Sequence, residues 1–152
     1  MSTALFRIIP QNVTGKVLEV QNGSNYVGAP IVMNNRRDSD FDSQLWIFDN
    51  QRRIKNKKSG LFLSIRGPDI SRQPVIQGEK DVALHWTFNH DDNTIRLINS
   101  GLVLDVKDRG TKDNTEIIIH TRNIPTPNDP PENLKHQQFT LEFYRFDFVI
   151  HE

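Results

Sequence analysis

The chain has 152 residues with 19 basic side chains, 19 acidic side chains and no cysteine. This length predicts one domain, and the balanced charge argues against a nucleic-acid-binding protein or a protein attracted to acidic membranes. The lack of cysteine excludes disulfides and thiolate metal sites. No apolar run approaches the roughly 20 residues that span a bilayer, and residues 1–7 have neither a charged leader nor a long apolar stretch. We therefore expect a cytoplasmic protein that does not insert into membranes.

The composition predicts an all-β protein. Val, Ile and Thr contribute 34 residues, whereas the helix formers Ala and Glu contribute 3 and 6. β-Branched side chains favour strands, and the 51 Asn, Asp, Gly, Pro and Ser residues favour tight turns between strands. Only residues 131–138 tolerate a helix, and this stretch is short, so we predict no long helix.

The predicted strands form three similar units along the chain. The segment from Gly15 to Val20 recurs at residues 60–65 and 101–106, a period of about 40 residues. Each unit also has an opening strand, a third strand and a closing aromatic strand. The twelve predicted strands cover residues 5–8, 15–20, 31–33, 44–48, 53–55, 60–65, 75–77, 84–88, 94–97, 101–106, 117–119 and 137–141.

The repeat predicts a β-trefoil. A four-strand unit cannot bury one face alone, so three copies should share one core about a pseudo-threefold axis and close a barrel with few exposed edges. We expect a single domain over residues 1–152. Its repeats would lie at about 5–49, 50–91 and 92–143, followed by a C-terminal tail at 144–152.

Three short motifs resemble those of the ricin B-like, or R-type, lectins. They are Gln44-x-Trp46, its variant Gln137-x-Phe139, and Leu104-Asp105-Val106. The resemblance covers residues 5–143 and implies a carbohydrate-binding protein without cofactor or catalytic activity. It also implies galactose or N-acetylgalactosamine, on glycoproteins or glycolipids, as the ligand. The cysteine-free chain looks like the fungal members of this family, which are cytoplasmic.

The resemblance implies a carbohydrate-binding site in the third repeat. Its candidate residues are Asp105, Ile118, His120, His136 and Gln137. Asp105 would accept hydrogen bonds from two sugar hydroxyls, Gln137 would orient that carboxylate, and His120 would offer a flat face to the sugar ring. Ile118 would line the same wall. His136 stands where the family usually has asparagine, which permits hydrogen bonding but changes the expected hydroxyl pattern.

The other two repeats match this pattern less well. Glu19, Asn34 and Gln44 occupy the matching places in the first repeat and form a possible second carbohydrate site. Asn34 can hydrogen-bond but cannot stack on a sugar, so we expect an altered preference there. The second repeat differs at all three places, and we expect it to be structural only. Its residues are Ser64, Gly78 and Leu84.

Two segments depart from the threefold pattern. Residues 123–135 form an insertion whose four prolines would stiffen a loop beside the third-repeat site, where it would extend the site, cover it or lie inert. Residues 145–150 alternate polar and apolar side chains beyond the twelfth strand, so they would lengthen that strand or pair across a homodimer. If residues 146–148 instead of residues 139–141 matched residues 46–48, Gln137 would no longer hold the place of Gln44 in the motif.

The sequence contains no motif for catalysis or for a metal site. It has no Gly-x-Ser-x-Gly turn, no nucleophilic cysteine and no phosphate-binding glycine loop, so we expect a protein that is not an enzyme. Asp38, Asp40 and Asp42 have the spacing that begins a calcium loop, but Ser43 replaces the glycine that such a loop needs. We therefore expect no bound metal.

Two functions remain as alternatives to a lectin. A β-trefoil protease inhibitor would act through a projecting loop, either residues 123–135 or residues 67–73. A structural or oligomerisation module would bind neither glycans nor proteases. The substitution Asp105→Ala separates the lectin from the protease inhibitor, because it should abolish glycan binding but leave protease inhibition unchanged.

Overall fold

A computed structural model describes residues 2–148 and contains twelve β-strands. The strands are β1 (Ser2–Pro10), β2 (Lys16–Val20), β3 (Ile31–Asn35), β4 (Trp46–Phe48), β5 (Ile54–Asn56), β6 (Phe62–Ile65), β7 (Val75–Gly78), β8 (Trp86–Asn89), β9 (Thr94–Leu97), β10 (Leu102–Val106), β11 (Thr115–Thr121) and β12 (Phe139–Phe148). Four strands come from each predicted repeat. The prediction of an all-β fold built from three four-strand units is confirmed.

Helical structure within residues 2–148 consists of five short 3-10 helices. They are Gln21–Gly23, Asp42–Gln44, Lys80–Val82, Lys107–Arg109 and Pro131–Gln137. The last of them covers the stretch that the sequence marked as tolerant of a helix. None of these helices has the length and apolar character needed to cross a membrane.

The strands form two six-stranded antiparallel sheets, in the orders β12-β1-β4-β5-β6-β7 and β2-β3-β11-β10-β9-β8. The second and third strands of each repeat form a hairpin, and the three hairpins contact one another. Strand β11 pairs with β3, and isolated bridges join Pro30 to Ile76 and Pro74 to Ile118. Each hairpin therefore touches the other two, as the predicted pseudo-threefold arrangement requires.

The closing aromatic residue of each repeat fills the shared core. Trp46 and Phe139 have no exposed surface, and Trp86 is only 3 % exposed. The indole N–H of Trp46 donates to the carbonyl of Leu18 at 3.1 Å, and that of Trp86 donates to the carbonyl of Leu63 at 3.3 Å. A buried indole needs such an acceptor because leaving the N–H unpaired costs roughly 1–3 kcal/mol. These aromatic side chains therefore define the fold rather than a ligand site.

Strand β12 extends beyond the third repeat and pairs with β1 along its whole length, from Phe139 opposite Pro10 to Phe148 opposite Ser2. The residues at 144–148 thus lengthen the last strand instead of forming a separate tail. Phe139 is fully buried, whereas Phe146, which the alternative register would match to Trp46, is 55 % exposed. Phe139 therefore occupies the core position equivalent to Trp46. Gln137 therefore holds the place in the third repeat that Gln44 holds in the first. The predicted alternation at residues 149–150 lies outside the described residues.

Candidate functional site

The third-repeat site is assembled from the β10–β11 hairpin and the 3-10 helix Pro131–Gln137. Asp105 of β10 lies directly opposite Ile118 of β11. Gln137, at the end of the helix, donates a hydrogen bond from Nε2 to Asp105 Oδ2 at 2.9 Å. Asp105 and Gln137 are 4 % and 2 % exposed. The carboxylate is therefore held in one orientation by a buried amide.

Gln137 is itself fixed by backbone groups. Its Nε2 also donates to the carbonyl of Thr121 at 3.0 Å, and its Oε1 accepts a hydrogen bond from the backbone N–H of Asn123 at 2.8 Å. These bonds tie the 3-10 helix to the end of β11 and to the start of the insertion. The amide therefore orients Asp105 and anchors the insertion at the same time.

His136 lies between Asp105 and Asn123. Its Nε2 is 3.6 Å from Asp105 Oδ2 and 3.4 Å from Asn123 Nδ2, and the residue is 6 % exposed. The sequence pattern identified His136 as a substitute for the usual asparagine. It did not identify Asn123, whose amide lies beside the imidazole and joins the set of groups around the carboxylate.

Burial governs the protonation of this pair. Desolvation raises the pKa of the Asp105 carboxyl, although the hydrogen bond from Gln137 and the positive charges of His136, His120 and Arg72 act in the opposite direction. Desolvation also lowers the pKa of His136, against the attraction of Asp105. Burial therefore favours the neutral form of the ring, and its pKa lies below the ordinary 6.5.

His120 and Ile118 have different surroundings. His120 is partly exposed, and its Nδ1 lies 3.1 Å from the carbonyl of Thr121. Side chains two apart on a strand share a face, so Ile118 and His120 lie on the side of the hairpin that carries Asp105. Ile118 is only 1 % exposed, so it supports the site from beneath and has almost no surface of its own for a ligand.

The first repeat reproduces the glutamine framework of the third. Gln44 Nε2 donates to the carbonyl of Asn35 at 2.8 Å, and Gln44 Oε1 accepts from the backbone N–H of Arg37 at 3.1 Å. These two bonds correspond to those that Gln137 makes with Thr121 and Asn123. The local backbone is therefore arranged in the same way in both repeats.

The acid of the first repeat has a different set of partners. Arg37 donates to Glu19 from both Nη atoms, to Oε1 at 2.9 Å and to Oε2 at 3.0 Å. Asn34 donates to Oε1 at 2.8 Å and Ser43 to Oε2 at 2.9 Å. Four bonds use the roughly four acceptor positions of a carboxylate. The sequence pattern did not identify Arg37, whose guanidinium occupies the Glu19 carboxylate oxygens that a sugar would otherwise contact.

These bonds determine the protonation of Glu19. Burial raises the pKa of its carboxyl, but the hydrogen bonds from Arg37, Asn34 and Ser43, together with the charge of Arg37, outweigh that effect and lower it. The shift is opposite in direction to that of Asp105. An open, polar cavity of about 850 Å³ lies beside the Glu19–Arg37 pair and is lined by Asn22, Asn35, Asp40, Lys58, Asp113 and Asn114, among others.

The second repeat has different contacts at the matching places. Ser64 donates from Oγ to the carbonyl of Val82 at 3.0 Å. A Cβ atom placed on Gly78 would lie 2.9 Å from Val82 Cγ2, so the valine side chain fills the space where the third repeat has His120. In this repeat an apolar contact between Val82 and Gly78 therefore takes the place of the polar groups found in the third repeat.

The insertion begins at the site and then runs over the surface. Asn123 is partly buried, whereas residues 124–132 are exposed, including Ile124 at 71 %. The backbone N–H of Thr126 donates to Asp129 Oδ2 at 2.9 Å, which forms a local turn. Among residues 2–148 no group of three or more His, Asp or Glu side chains is arranged to hold a metal ion.

The chain matches the family model described as ricin-type beta-trefoil lectin domain over residues 5–128. It therefore belongs to the ricin B-like lectin family, as the motifs around Trp46 and Asp105 predicted. Carbohydrate binding is the activity of this class of domain, and the family is generally non-catalytic. A comparison with curated protein sequences found no match.

Solved structures support the β-trefoil fold. The Rhizoctonia solani agglutinin is 19 % identical with a TM-score of 0.76, covering 93 % of this chain and 96 % of its own. The Macrolepiota procera ricin B-like lectin in complex with lactose is 16 % identical with a TM-score of 0.72, covering 91 % and 94 %. The earthworm R-type lectin C-half in complex with GalNAc is 18 % identical with a TM-score of 0.71, covering 93 % and 99 %.

Proposed function

We propose that the chain is a non-catalytic lectin that binds galactose-type or N-acetylgalactosamine-type glycans through Asp105, His120 and Gln137. The observation that carries this proposal is the state of the Asp105 carboxylate. Gln137 donates a hydrogen bond to Oδ2 and so orients the carboxylate. Within residues 2–148 no group donates a hydrogen bond to the other oxygen, Oδ1, and this oxygen is not among the fully buried atoms without a partner. One acceptor is thus held in place and left available for a ligand.

The chemistry of these groups suits a sugar. A fixed carboxylate oxygen accepts hydrogen bonds from hydroxyl groups, and such charge-assisted bonds are stronger than neutral ones. His120 offers an aromatic face to the apolar side of the sugar ring, but the imidazole is smaller than an indole, so the affinity of one site should be modest. His136 and Asn123 add polar groups at the edge of the site.

The preference for galactose or N-acetylgalactosamine is supported by similarity. The earthworm lectin was solved with GalNAc and the Macrolepiota lectin with lactose. Rhizoctonia solani and Macrolepiota procera provide two of the similar structures, which supports a fungal origin for this chain. We propose in addition that the protein is cytoplasmic, and a cysteine-free chain is compatible with that reducing compartment.

The first repeat is the candidate for a second carbohydrate site. A glycan at Glu19 would have to compete with the bidentate hydrogen bonds from Arg37, so its main contacts would be Asn34, Arg37 and the side chains that line the adjacent cavity. Gln44 would support this site through the backbone, because its Oε1 is bonded to the N–H of Arg37. We expect this site to bind more weakly than the third-repeat site.

A homodimer would give the protein more than one strong site per particle. Strand β12 is an edge strand, and its Phe143, Phe146 and Phe148 are 49 %, 55 % and 80 % exposed. Edge strands with exposed apolar side chains favour pairing with another chain. Two linked sites raise avidity without any new contact. Light scattering should show a dimer for the wild type and a monomer after Phe146→Lys, and a monomeric wild type would contradict this.

A glycan array tests the proposed function. The wild type should bind glycans that end in galactose or N-acetylgalactosamine, and Asp105→Ala should abolish this signal. In a titration the same substitution should raise the Kd at least about a hundredfold, which corresponds to about 2.7 kcal/mol. Ser64→Ala is the matched control, because Ser64 holds the equivalent place in the second repeat and should leave binding unchanged. Circular dichroism and thermal melting establish that each variant is folded.

Two results would contradict the proposal. One is a blank array from the folded wild type, after which protease inhibition through residues 123–135 or 67–73 would be measured. The other is full binding by folded Asp105→Ala, which would place the site elsewhere. Membership of the lectin family does not favour the inhibitor alternative.

A further inference from the structure

The site of the third repeat is bordered by a loop that belongs to the second repeat. In the loop between β6 and β7, the backbone N–H of Arg72 donates to the carbonyl of Ile119 at 2.6 Å, and the carbonyl of Gln73 accepts from the N–H of Ile119 at 3.0 Å. The isolated bridge between Pro74 and Ile118 continues this contact. The loop therefore runs along β11, on the edge of that strand away from β10.

The same contact occurs in all three repeats, and each time it uses a residue with a left-handed backbone. The N–H of Gly28 donates to the carbonyl of Gln77 at 2.8 Å, and that of Asn114 donates to the carbonyl of Met33 at 2.9 Å. Gly28, Arg72 and Asn114 have φ angles of +88°, +75° and +64°. Glycine and asparagine adopt this conformation readily, whereas a long side chain is disfavoured there. Arg72 thus stands at a place that costs local stability, which calls for a function of its side chain.

The first repeat shows what this position contacts. The N–H of Asn114 donates to Asn34 Oδ1 at 2.7 Å, and Asn114 lines the cavity beside Glu19. Asn34 holds the place that His120 holds in the third repeat. The residue at this position therefore borders the acid site of the neighbouring repeat.

The guanidinium of Arg72 lies on the outward side of the third hairpin. The core side of this hairpin is filled by apolar side chains, whereas the Arg72 side chain is 51 % exposed. Its positive charge acts on the Asp105 carboxyl, where it opposes the rise in pKa that burial causes. Arg72 therefore borders the face that carries Asp105 and His120.

The guanidinium is accessible to a ligand although it has a partner. Its Nη2 lies 3.1 Å from Asp108 Oδ1, and the Asp108 side chain is 69 % exposed. Ion pairs as exposed as this one contribute little to stability, so a ligand can displace or share it. A guanidinium has five N–H donors, of which the bond to Asp108 uses one of those on Nη2. The place of Asp108 Oδ1 also shows that a carboxylate oxygen fits beside Arg72.

We propose that Arg72 contacts the ligand of the third-repeat site and selects glycans whose terminal sugar carries an acidic group, either a carboxylate or a sulfate ester. The proposal rests on the proposed function, because Asp105 has to hold hydroxyl groups of the same sugar. The planar fork of a guanidinium matches the oxygens of an acidic group. The other titratable groups that act on the Asp105–His136 pair include His120 and Arg109, which are also basic. The site thus offers an acceptor for hydroxyl groups beside a basic border for an acid.

Calorimetric titration with neutral and acidic sugars tests the role of Arg72. Galactose is compared with galacturonic acid and with sulfated galactoses that differ in the position of the ester, so the two kinds of acidic group are measured separately. The wild type should bind at least one acidic sugar about tenfold more tightly than galactose. This advantage should shrink at high salt, because salt screens the attraction between exposed charges.

Arg72→Asn is the test variant, because Asn114 shows that asparagine fits the same backbone. It should bind the acidic sugar no more tightly than galactose, and its melting temperature should equal or exceed that of the wild type. Arg72→Lys keeps the charge but loses the planar fork, so it should retain part of the preference. Arg66→Ala is the matched control and should retain all of it. Arg66 is an exposed cation two residues after Ser64, so it shares the outward face of the second repeat.

The outcomes separate the role of Arg72 from the proposed function. A wild type that binds galactose without preference for any acidic sugar overturns the role of Arg72 alone. Retention of the preference by folded Arg72→Asn overturns it as well. An equal loss in Arg66→Ala has the same consequence, because it assigns the preference to the general charge of the surface. A wild type that binds neither galactose nor an acidic sugar overturns the proposed function itself.

Discussion

Asp105 in the third repeat accepts one side-chain hydrogen bond, from Gln137, whereas Glu19 in the first repeat accepts four, two of them from Arg37. Both acids lie at equivalent places beside glutamines with the same backbone bonds. Two of the four bonds come from Arg37, which stands where the third repeat has Asn123. The other two come from Asn34 and Ser43, and the third repeat has histidines at both of those places. A guanidinium in reach converts a carboxylate that is available to a ligand into a structural ion pair.

The largest expected effect is on stability in the first repeat. Glu19→Ala leaves Arg37 without its partner and removes the acceptor of Asn34 and Ser43. Loss of one member of a buried pair costs roughly 3–5 kcal/mol, and the 40 % exposure of the Arg37 side chain reduces this to about 2 kcal/mol. Urea denaturation measures the change in the free energy of unfolding.

Asp105→Asn is the comparison for that measurement. It removes a charge that burial disfavours and keeps an oxygen as acceptor, so the free energy of unfolding should change by less than about 1 kcal/mol. Equal destabilisation by Glu19→Ala and Asp105→Asn would show that the two carboxylates play the same structural part.

The second effect is on the pH dependence of glycan binding and stability. The pKa of Asp105 is raised by burial, so its carboxyl takes up a proton at a pH above the ordinary 3.8. Binding should fall about tenfold for each pH unit below the folded pKa, because a protonated carboxyl loses its charge as an acceptor. Calorimetry across pH 3.5 to about 7 measures this loss, and pH-independent binding would exclude a role for an ionised Asp105.

The two acids should also affect unfolding in opposite directions. The lowered pKa of Glu19 means that its contribution to stability is present above the ordinary 4.5 and is lost as the pH falls through the folded pKa. The raised pKa of Asp105 means that its charge lowers stability above that pKa, and this penalty disappears in acid. The stability gap between wild type and Glu19→Gln should therefore shrink in acid.

The smallest effect concerns the stacking face. His120→Trp offers a larger aromatic surface to the sugar and should tighten galactose binding about threefold to tenfold, equivalent to about 0.5–1.5 kcal/mol. Asn34→Trp in the first repeat, with Glu19 still paired to Arg37, should give a smaller gain. Calorimetric titration with galactose compares the two variants. A larger gain in the first repeat would reverse the ranking of the sites.

Prediction from the sequence succeeded where the threefold repeat supplied independent copies of the same signal. The spacing of the glycine-led strands and closing aromatics predicted twelve strands, and Gln44 and Gln137 were assigned through their distance from Trp46 and Phe139. The resemblance implied that Gln137 orients Asp105, but the backbone partners of the two glutamines, Arg37 and Asn123, were not predicted. Arg37 and Asn123 lie outside the strands and helices, where no periodic pattern says which way a side chain points.

The sequence by itself determined the class of fold and the places where an acid and an amide recur, because both depend on local strand patterns repeated along the chain. Only the tertiary structure decided which carboxylate is left available. That choice depends on contacts across residues 19–37 and 105–137, which form when the hairpins and the 3-10 helices pack together. It also brought Arg72 of the second repeat beside the third-repeat site, since residues far apart in the chain meet only after the barrel closes.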